Sequence, residues 1–248
     1  MNAVNQLRVE TEGYGLRLAA SAADVARAQR LRFEVFNLEL SEGLSSSVET
    51  GLDADEFDPV CDHLLVEERA GGAVVGTYRL QTGRMAAAGR GYYSAREFDF
   101  APFEPARDRL IELGRACVAA EHRNQTVLGL LWKGIARYSQ SAGARWLVGC
   151  SSLTSQDEAE GLAAYAQLAP RNLVAEPWRT SPWPALRCRA GEGEPPAVKI
   201  PRLMSSYLLL GAKICGEPAI DREFGTIDFL TLFDLEASSA RVLRKYLG

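Results

Sequence analysis

Glu112 and Arg115 stand three residues apart inside an apolar stretch, Leu110–Ala120. A strand buried in a mixed sheet normally reads as continuous Val, Ile and Leu. A carboxylate or a guanidinium held there is costly unless it is paired or put to use. Three roles are open to Glu112. It is a base that takes a proton from an amine, directly or through a water; or it anchors a substrate ammonium; or it pairs with Arg115 and only ties the sheet together. Residues three apart on an ideal strand point to opposite faces. Pairing therefore needs a bulge or kink, and Gly114 between them permits one.

A second group lies in Ser41–Asp62, a long acidic stretch with little periodicity. Arg32 and Arg79 are placed to clamp it through Asp53, Asp55 and Asp58. In one reading the ordered loop closes an amine site and one aspartate grips a cationic amino acid. In the other the loop is solvated and both arginines are surface residues. Loops of this length inside a compact domain are usually functional or disordered. A third group is the turn Glu121–Gly129, EHRNQTVLG, with Arg123 just before a helix start. Amides at a helix N-terminus can hold a phosphate. His63 and His122 have no metal-ligand partner at useful spacing, and no metal site is expected. His63 is expected at a strand edge, and Tyr165 in the core.

The elements that position these residues follow from periodicity. Tyr14–Ala20 reads as a strand, and Ser21 with Asp24 opens a helix in capping-box-like spacing, with Val25, Ala28, Leu31, Val35 and Leu38 at helical intervals. His63–Arg69 and Ala73–Gln81 form a hairpin around Gly71 and Gly72. Arg84–Phe103 is irregular. The central unit is strand, helix and strand: the run holding Glu112, a helix over Gln125–Ser141, and Trp146–Cys150. Ser155 and Glu158 cap a helix to about Leu168. Ile200–Leu203 opens another that runs through Ile214 to a stop at Gly216. Thr226–Leu235 is a strand and Ser239–Leu247 a terminal helix. Met1–Gly13 is read as a loose terminus. The order gives an α+β or α/β fold, a single domain over 1–248 around one mixed sheet.

The 248 residues are 47% hydrophobic and 24% charged, with a net charge of -4. That suits a soluble chain with a sizeable core. It gives no general reason to expect nucleic acid. The five cysteines are widely spaced, with no CxxC pair, and read as reduced cytosolic thiols. No signal peptide is expected from MNAVNQLRVETEG, and no run of about 18 apolar residues exists to span a bilayer.

Four local patterns carry a resemblance: RFEVF (Arg32–Phe36), DADEFD (Asp53–Asp58), GTYRL (Gly76–Leu80) and ELGR (Glu112–Arg115). In this order they resemble the GNAT superfamily of N-acyltransferases, in the branch holding acyl-homoserine-lactone synthases and ornithine-lipid N-acyltransferases. IPRL (Ile200–Leu203), YLLLGAK (Tyr207–Lys213) and FGTIDF (Phe224–Phe229) resemble the ornithine N-acyltransferases in particular. The resemblance implies a mainly antiparallel sheet with helices on both faces and a splayed strand pair. It implies transfer of a long 3-hydroxyacyl chain from acyl carrier protein to the α-amine of ornithine, giving lyso-ornithine lipid. A synthase of another N-acyl amino acid or of an acyl-homoserine lactone, or a non-catalytic carrier- or lipid-binding module, are the alternatives.

In this family Glu112 and Arg115 fall at the catalytic positions, and Arg32, Arg79, Asp53, Asp55 and Asp58 at the amine site. Arg123, Val118 and Gly129 fall at the donor site. Acetyl-CoA enzymes of the fold carry small residues where this chain has Thr126 and Leu128. That departure agrees with a donor whose phosphopantetheine brings one phosphodiester, so no separate cofactor is expected. The expected partners are acyl carrier protein and a small amino acid. The expected location is the cytoplasm, with peripheral contact at the inner membrane left open because the product is a lipid.

Overall fold

Among the described residues nine strands share one sheet, in the order β1-β2-β3-β4-β5-β6-β9-β7, with β8 also on β9. They are β1 (Arg8–Glu10), β2 (Tyr14–Leu18), β3 (Asp62–Glu68), β4 (Val74–Thr82), β5 (Leu110–Val118), β6 (Trp146–Leu153), β7 (Lys213–Ile214), β8 (Ala219–Asp221) and β9 (Thr226–Asp234). The computed structural model describes residues 7–191, 194 and 196–237. The terminal helix expected over Ser239–Leu247 lies outside them. The loose terminus is corrected in part: Arg8–Glu10 pairs with Gly15–Arg17 as an edge strand.

Helices α1 (Ala22–Phe33) and α4 (Gln125–Ala142) cover opposite faces. The alternation of strand residues assigns the faces. Leu64, Val66 and Leu80 join Val127, Leu131 and Ile135 of α4 in the main core. Arg79, between Tyr78 and Leu80, points the other way, toward Arg32 of α1. Ser21 caps α1 as expected, accepting the Asp24 N–H at 3.2 Å. After Phe33 the chain continues for one wider turn, Glu34–Glu39.

The other helices are α2 (Ser47–Thr50), α3 (Gly83–Ala88), α5 (Glu158–Asn172) and α6 (Arg202–Leu210). Asp157 rather than Ser155 caps α5, accepting the Ala159 N–H at 2.9 Å. The helix expected to reach Ile214 ends earlier, at Gly211 with φ 110°. Ala212 then starts an extended segment, and Lys213–Ile214 pairs with Thr231 and Leu232 of β9. Left-handed backbone costs glycine nothing, so Gly211 is the stronger stop.

Strand β5 is antiparallel to β4 along its length but parallel to β6 only from Leu110 to Glu112. Beyond Glu112 the two strands part, β6 following β9 and β5 following β4. A Cβ on Gly149 would lie 2.2 Å from the Leu113 carbonyl oxygen, so glycine alone fits at the point of parting. The register of β5 on β4 slips between Thr77 and Arg79. Arg115 sits in that bulge with φ 50°, a left-handed conformation that a non-glycine residue rarely adopts. The expected bulge is therefore present, but Arg115, not Gly114, takes the positive φ.

Candidate active site

A cavity of about 270 Å³ opens where β5 and β6 separate. Glu112, Leu113, Gly114 and Arg115 line it, facing Cys150, Ser151 and Ser152 of β6. A smaller cavity of about 40 Å³ adjoins it, sharing Tyr78, Leu113, Cys150, Ser151 and Tyr207, and lined further on by Trp132, Ala212 and Phe233.

Glu112 is 5% exposed and does not pair with Arg115. One of its oxygens, Oε2, accepts the Tyr93 N–H and the other, Oε1, the Ser94 N–H, each at 2.8 Å. Burial raises its pKa above the ordinary carboxylate value, against the opposing pull of those donors and Arg79. A carboxylate so placed keeps a fixed orientation and binds a proton more readily than one in water. Arg115 turns instead to the acidic loop. Its Nη2 lies 3.2 Å from Asp55 and its Nη1 3.7 Å from Asp53. The guanidinium stacks 4.4 Å from the Phe224 ring centroid and 5.2 Å from that of Tyr93, and its Nε–H has no protein acceptor.

The acidic stretch is not solvated. Asp53 and Asp58 are buried, and with Asp55 they meet Arg32, Arg79 and Arg115 in one neutral cluster. Arg32 grips both Asp58 oxygens at 2.6 and 3.0 Å, its Nε stands 2.9 Å from Asp53, and it donates to the Asp53 carbonyl. Arg79 binds both oxygens of Asp55 at 2.6 and 2.7 Å and Asp58 at 3.1 Å. Burial opposes ionisation of Asp58, but Arg32 and Arg79 outweigh it and hold its carboxyl below the usual range. Each aspartate has an arginine within ion-pair distance, and none of the three lines the cavity. His63 is buried in the middle of the sheet rather than at an edge; its Nε2 meets the Asp58 carbonyl at 3.1 Å. Burial lowers its pKa, which favours the neutral ring.

None of the residues expected at a donor phosphate, Arg123, Val118 and Gly129, lines either cavity. Arg123 donates to the Val118 carbonyl at 3.1 Å and is forked onto Glu39 at 2.5 and 2.6 Å, half-exposed. Asn124 caps α4 by accepting from Thr126 and Val127, so the helix amides are already engaged. Gly129 has open space around it, while Leu128 is exposed. Tyr165 packs in the core beside β9, as expected.

Sequence reasoning missed several wall residues. Tyr93 and Ser94 come from the irregular aromatic stretch, whose backbone donors have no sequence signature. Asp228 is different: a carboxylate inside the apolar strand Thr226–Asp234 is the same anomaly that singled out Glu112. It lines the cavity, with Glu97 and Cys150 beside it.

The Acetyltransferase (GNAT) domain family matches residues 31–133. An L-ornithine N(alpha)-acyltransferase of Brucella abortus is 33% identical over 93% of this chain and 88% of its own length. One of Rhodobacter capsulatus is 34% identical over 92% of each chain. Among solved structures, the acyl-homoserine-lactone synthase LasI superposes with TM-score 0.53 at 13% identity over 94% of each chain. FeeM, an N-acyl amino acid synthase from uncultured soil microbes, superposes with TM-score 0.54 at 11% identity over 93% of this chain and 97% of its own. At such identities these structures bear on the fold alone.

Proposed function

Because this chain belongs to the L-ornithine N(alpha)-acyltransferase family, we propose that it takes a long 3-hydroxyacyl chain from acyl carrier protein and joins it to the α-amine of ornithine as an amide. The observation that carries the proposed residue roles is that Glu112 and Arg115 both open into the cleft between β5 and β6 instead of sealing against each other.

The chemistry follows from the residues. The α-ammonium of ornithine is unreactive until it loses a proton, and Glu112 takes that proton, directly or through one water. The free amine attacks the thioester carbonyl. The tetrahedral oxyanion then collapses, the C–S bond breaks, and the departing pantetheine thiolate takes up the proton that the attacking nitrogen loses on becoming an amide. The Tyr93 and Ser94 N–H groups keep Glu112 aimed while its charge changes. Arg115, with one donor free of protein partners, holds the acceptor's carboxylate. The acyl chain runs into the gap lined by Trp132 and Phe233. Arg123 exchanges Glu39 for the phosphodiester of the donor arm, and the acidic loop serves as the clamp that fixes Arg79 and Arg115.

The product is a lyso-ornithine lipid, which partitions into membrane. No described helix is long and apolar enough to cross a bilayer, and contact with the membrane in this reading is peripheral. Incubating the protein with acyl-loaded carrier protein and a panel of amino acids, read by mass spectrometry, tests the reading. N-acylornithine is the expected product; lactone product or none contradicts it.

A further inference from the structure

The two walls of the cleft differ in how their acids are balanced. On the β4 and β5 side, every buried aspartate has an arginine. On the β6 and β9 side, Glu97 and Asp228 have no ion pair with any described Lys, Arg or His, and each is 5% exposed or less. Asp228 lines the cavity; Ser152, Thr226 and Glu97 stand beside its carboxyl, but its Oδ1 has no partner in hydrogen-bond geometry. Glu97 and Asp228 stand with Cys150 so that their ligand atoms lie within 4.8 Å of one another. Two buried carboxyls this close cannot both ionise without a cation, and share a proton in its absence. A native fold that leaves such a carboxyl on a cavity wall without a cation leaves room for a positive group.

Ser94 ties this acid pair to Glu112. Its backbone N–H holds the Glu112 carboxylate, and its hydroxyl lies 3.4 Å from the Cys150 Sγ, which abuts Glu97 at 4.0 Å. One cleft therefore carries two separate carboxylate stations joined through one residue. We propose that Asp228, backed by Glu97, receives the side-chain ammonium of a diamino-acid acceptor and so selects that acceptor over uncharged amino acids. The proposal rests on the reading in which Glu112 serves the reacting amine. A primary ammonium offers three N–H donors, and Asp228 Oδ1 supplies an acceptor that the fold leaves vacant. A metal ion is the competing occupant of Glu97, Cys150 and Asp228. Burial raises the Cys150 thiol well above its ordinary value, which works against the thiolate a metal would need.

The test compares L-ornithine with L-norvaline, which lacks only the side-chain amine, using acyl-loaded carrier protein as donor. Wild type should favour ornithine by about 100-fold or more in kcat/KM. Asp228→Asn should bring that ratio to within about 10-fold, and Glu97→Gln should move it in the same direction. A ratio unchanged in both variants, equal rates on both amino acids in wild type, or activity that a chelator removes and zinc restores would overturn the assignment. Glu112→Gln separates the two readings. It should slow both acceptors together and keep their ratio, so a failure at Glu112 is distinguishable from a failure at Asp228.

Discussion

Glu112 and Arg115, neighbours in sequence and on one strand, make no ion pair with each other. Glu112 is held by the Tyr93 and Ser94 amides, and Arg115 by Asp53 and Asp55. The left-handed turn of Arg115 separates them by sending its side chain to the acidic loop. Backbone in this region costs energy for a side-chain-bearing residue, and persists where surrounding contacts fix it.

Those contacts should be expensive to break. Arg32→Ala leaves Asp58 buried and short of a partner, and should destabilise the fold by about 3–5 kcal/mol. The folded Asp58 carboxyl sits below its ordinary value. Its contribution is therefore complete above the unfolded carboxylate value and is lost as pH falls through the folded one. Urea titration at pH 7 and at about pH 3, below the unfolded carboxylate value, measures both effects; a loss under about 1 kcal/mol at pH 7 would show that the clamp contributes little.

Gly149 marks where the sheet divides. Gly149→Ala drives a methyl onto the Leu113 carbonyl and should cost about 1–3 kcal/mol while shifting the strand that carries Glu112. A drop in melting temperature with a matching drop in turnover is expected. Wild-type values for both would mean the strands part without needing the glycine.

How much of this was legible beforehand depends on the range of the interaction. The β5-α4-β6 unit, the hairpin at Gly71 and Gly72, and the cap at Ser21 are local, and periodicity or turn residues reveal them. Two charges in the apolar run Leu110–Ala120 pointed to residues that line the cleft. The extent of α6 is not legible in this way, because Ala212 and Ile214 are as compatible with a strand as with a helix, and Gly211 stops the helix before Gly216. Tyr93, Ser94 and Glu97 reach the site only through long-range packing. Asp228 carries a usable signal, a carboxylate inside the apolar strand β9.

Arg123 should act on the donor. Arg123→Ala removes a half-exposed fork onto Glu39, so stability should change by no more than about 0.5 kcal/mol. The KM for acyl carrier protein should rise more than the KM for ornithine. The opposite order would move the phosphate contact elsewhere.

The Glu97–Asp228 pair should leave a mark on stability as well as specificity. Burial raises the folded Asp228 carboxyl to about 6. A raised acid contributes stability below its unfolded value and loses it as pH climbs through the folded one. Asp228→Asn removes that loss. The variant should gain melting temperature over wild type at pH 8 and gain less, or nothing, at pH 5. A larger gain at pH 5 would contradict the buried, proton-sharing state.

The most direct measurement is the turnover of Glu112→Gln with acyl-loaded carrier protein and ornithine, followed by mass spectrometry. If Glu112 takes the amine proton, turnover at pH 7 falls by about 10²–10⁴-fold with the melting temperature little changed. The wild-type rate should also decline toward acid from a pH above the ordinary carboxylate range, as the raised pKa of Glu112 requires. Wild-type turnover in the glutamine variant would remove the base from the cleft and the mechanism with it.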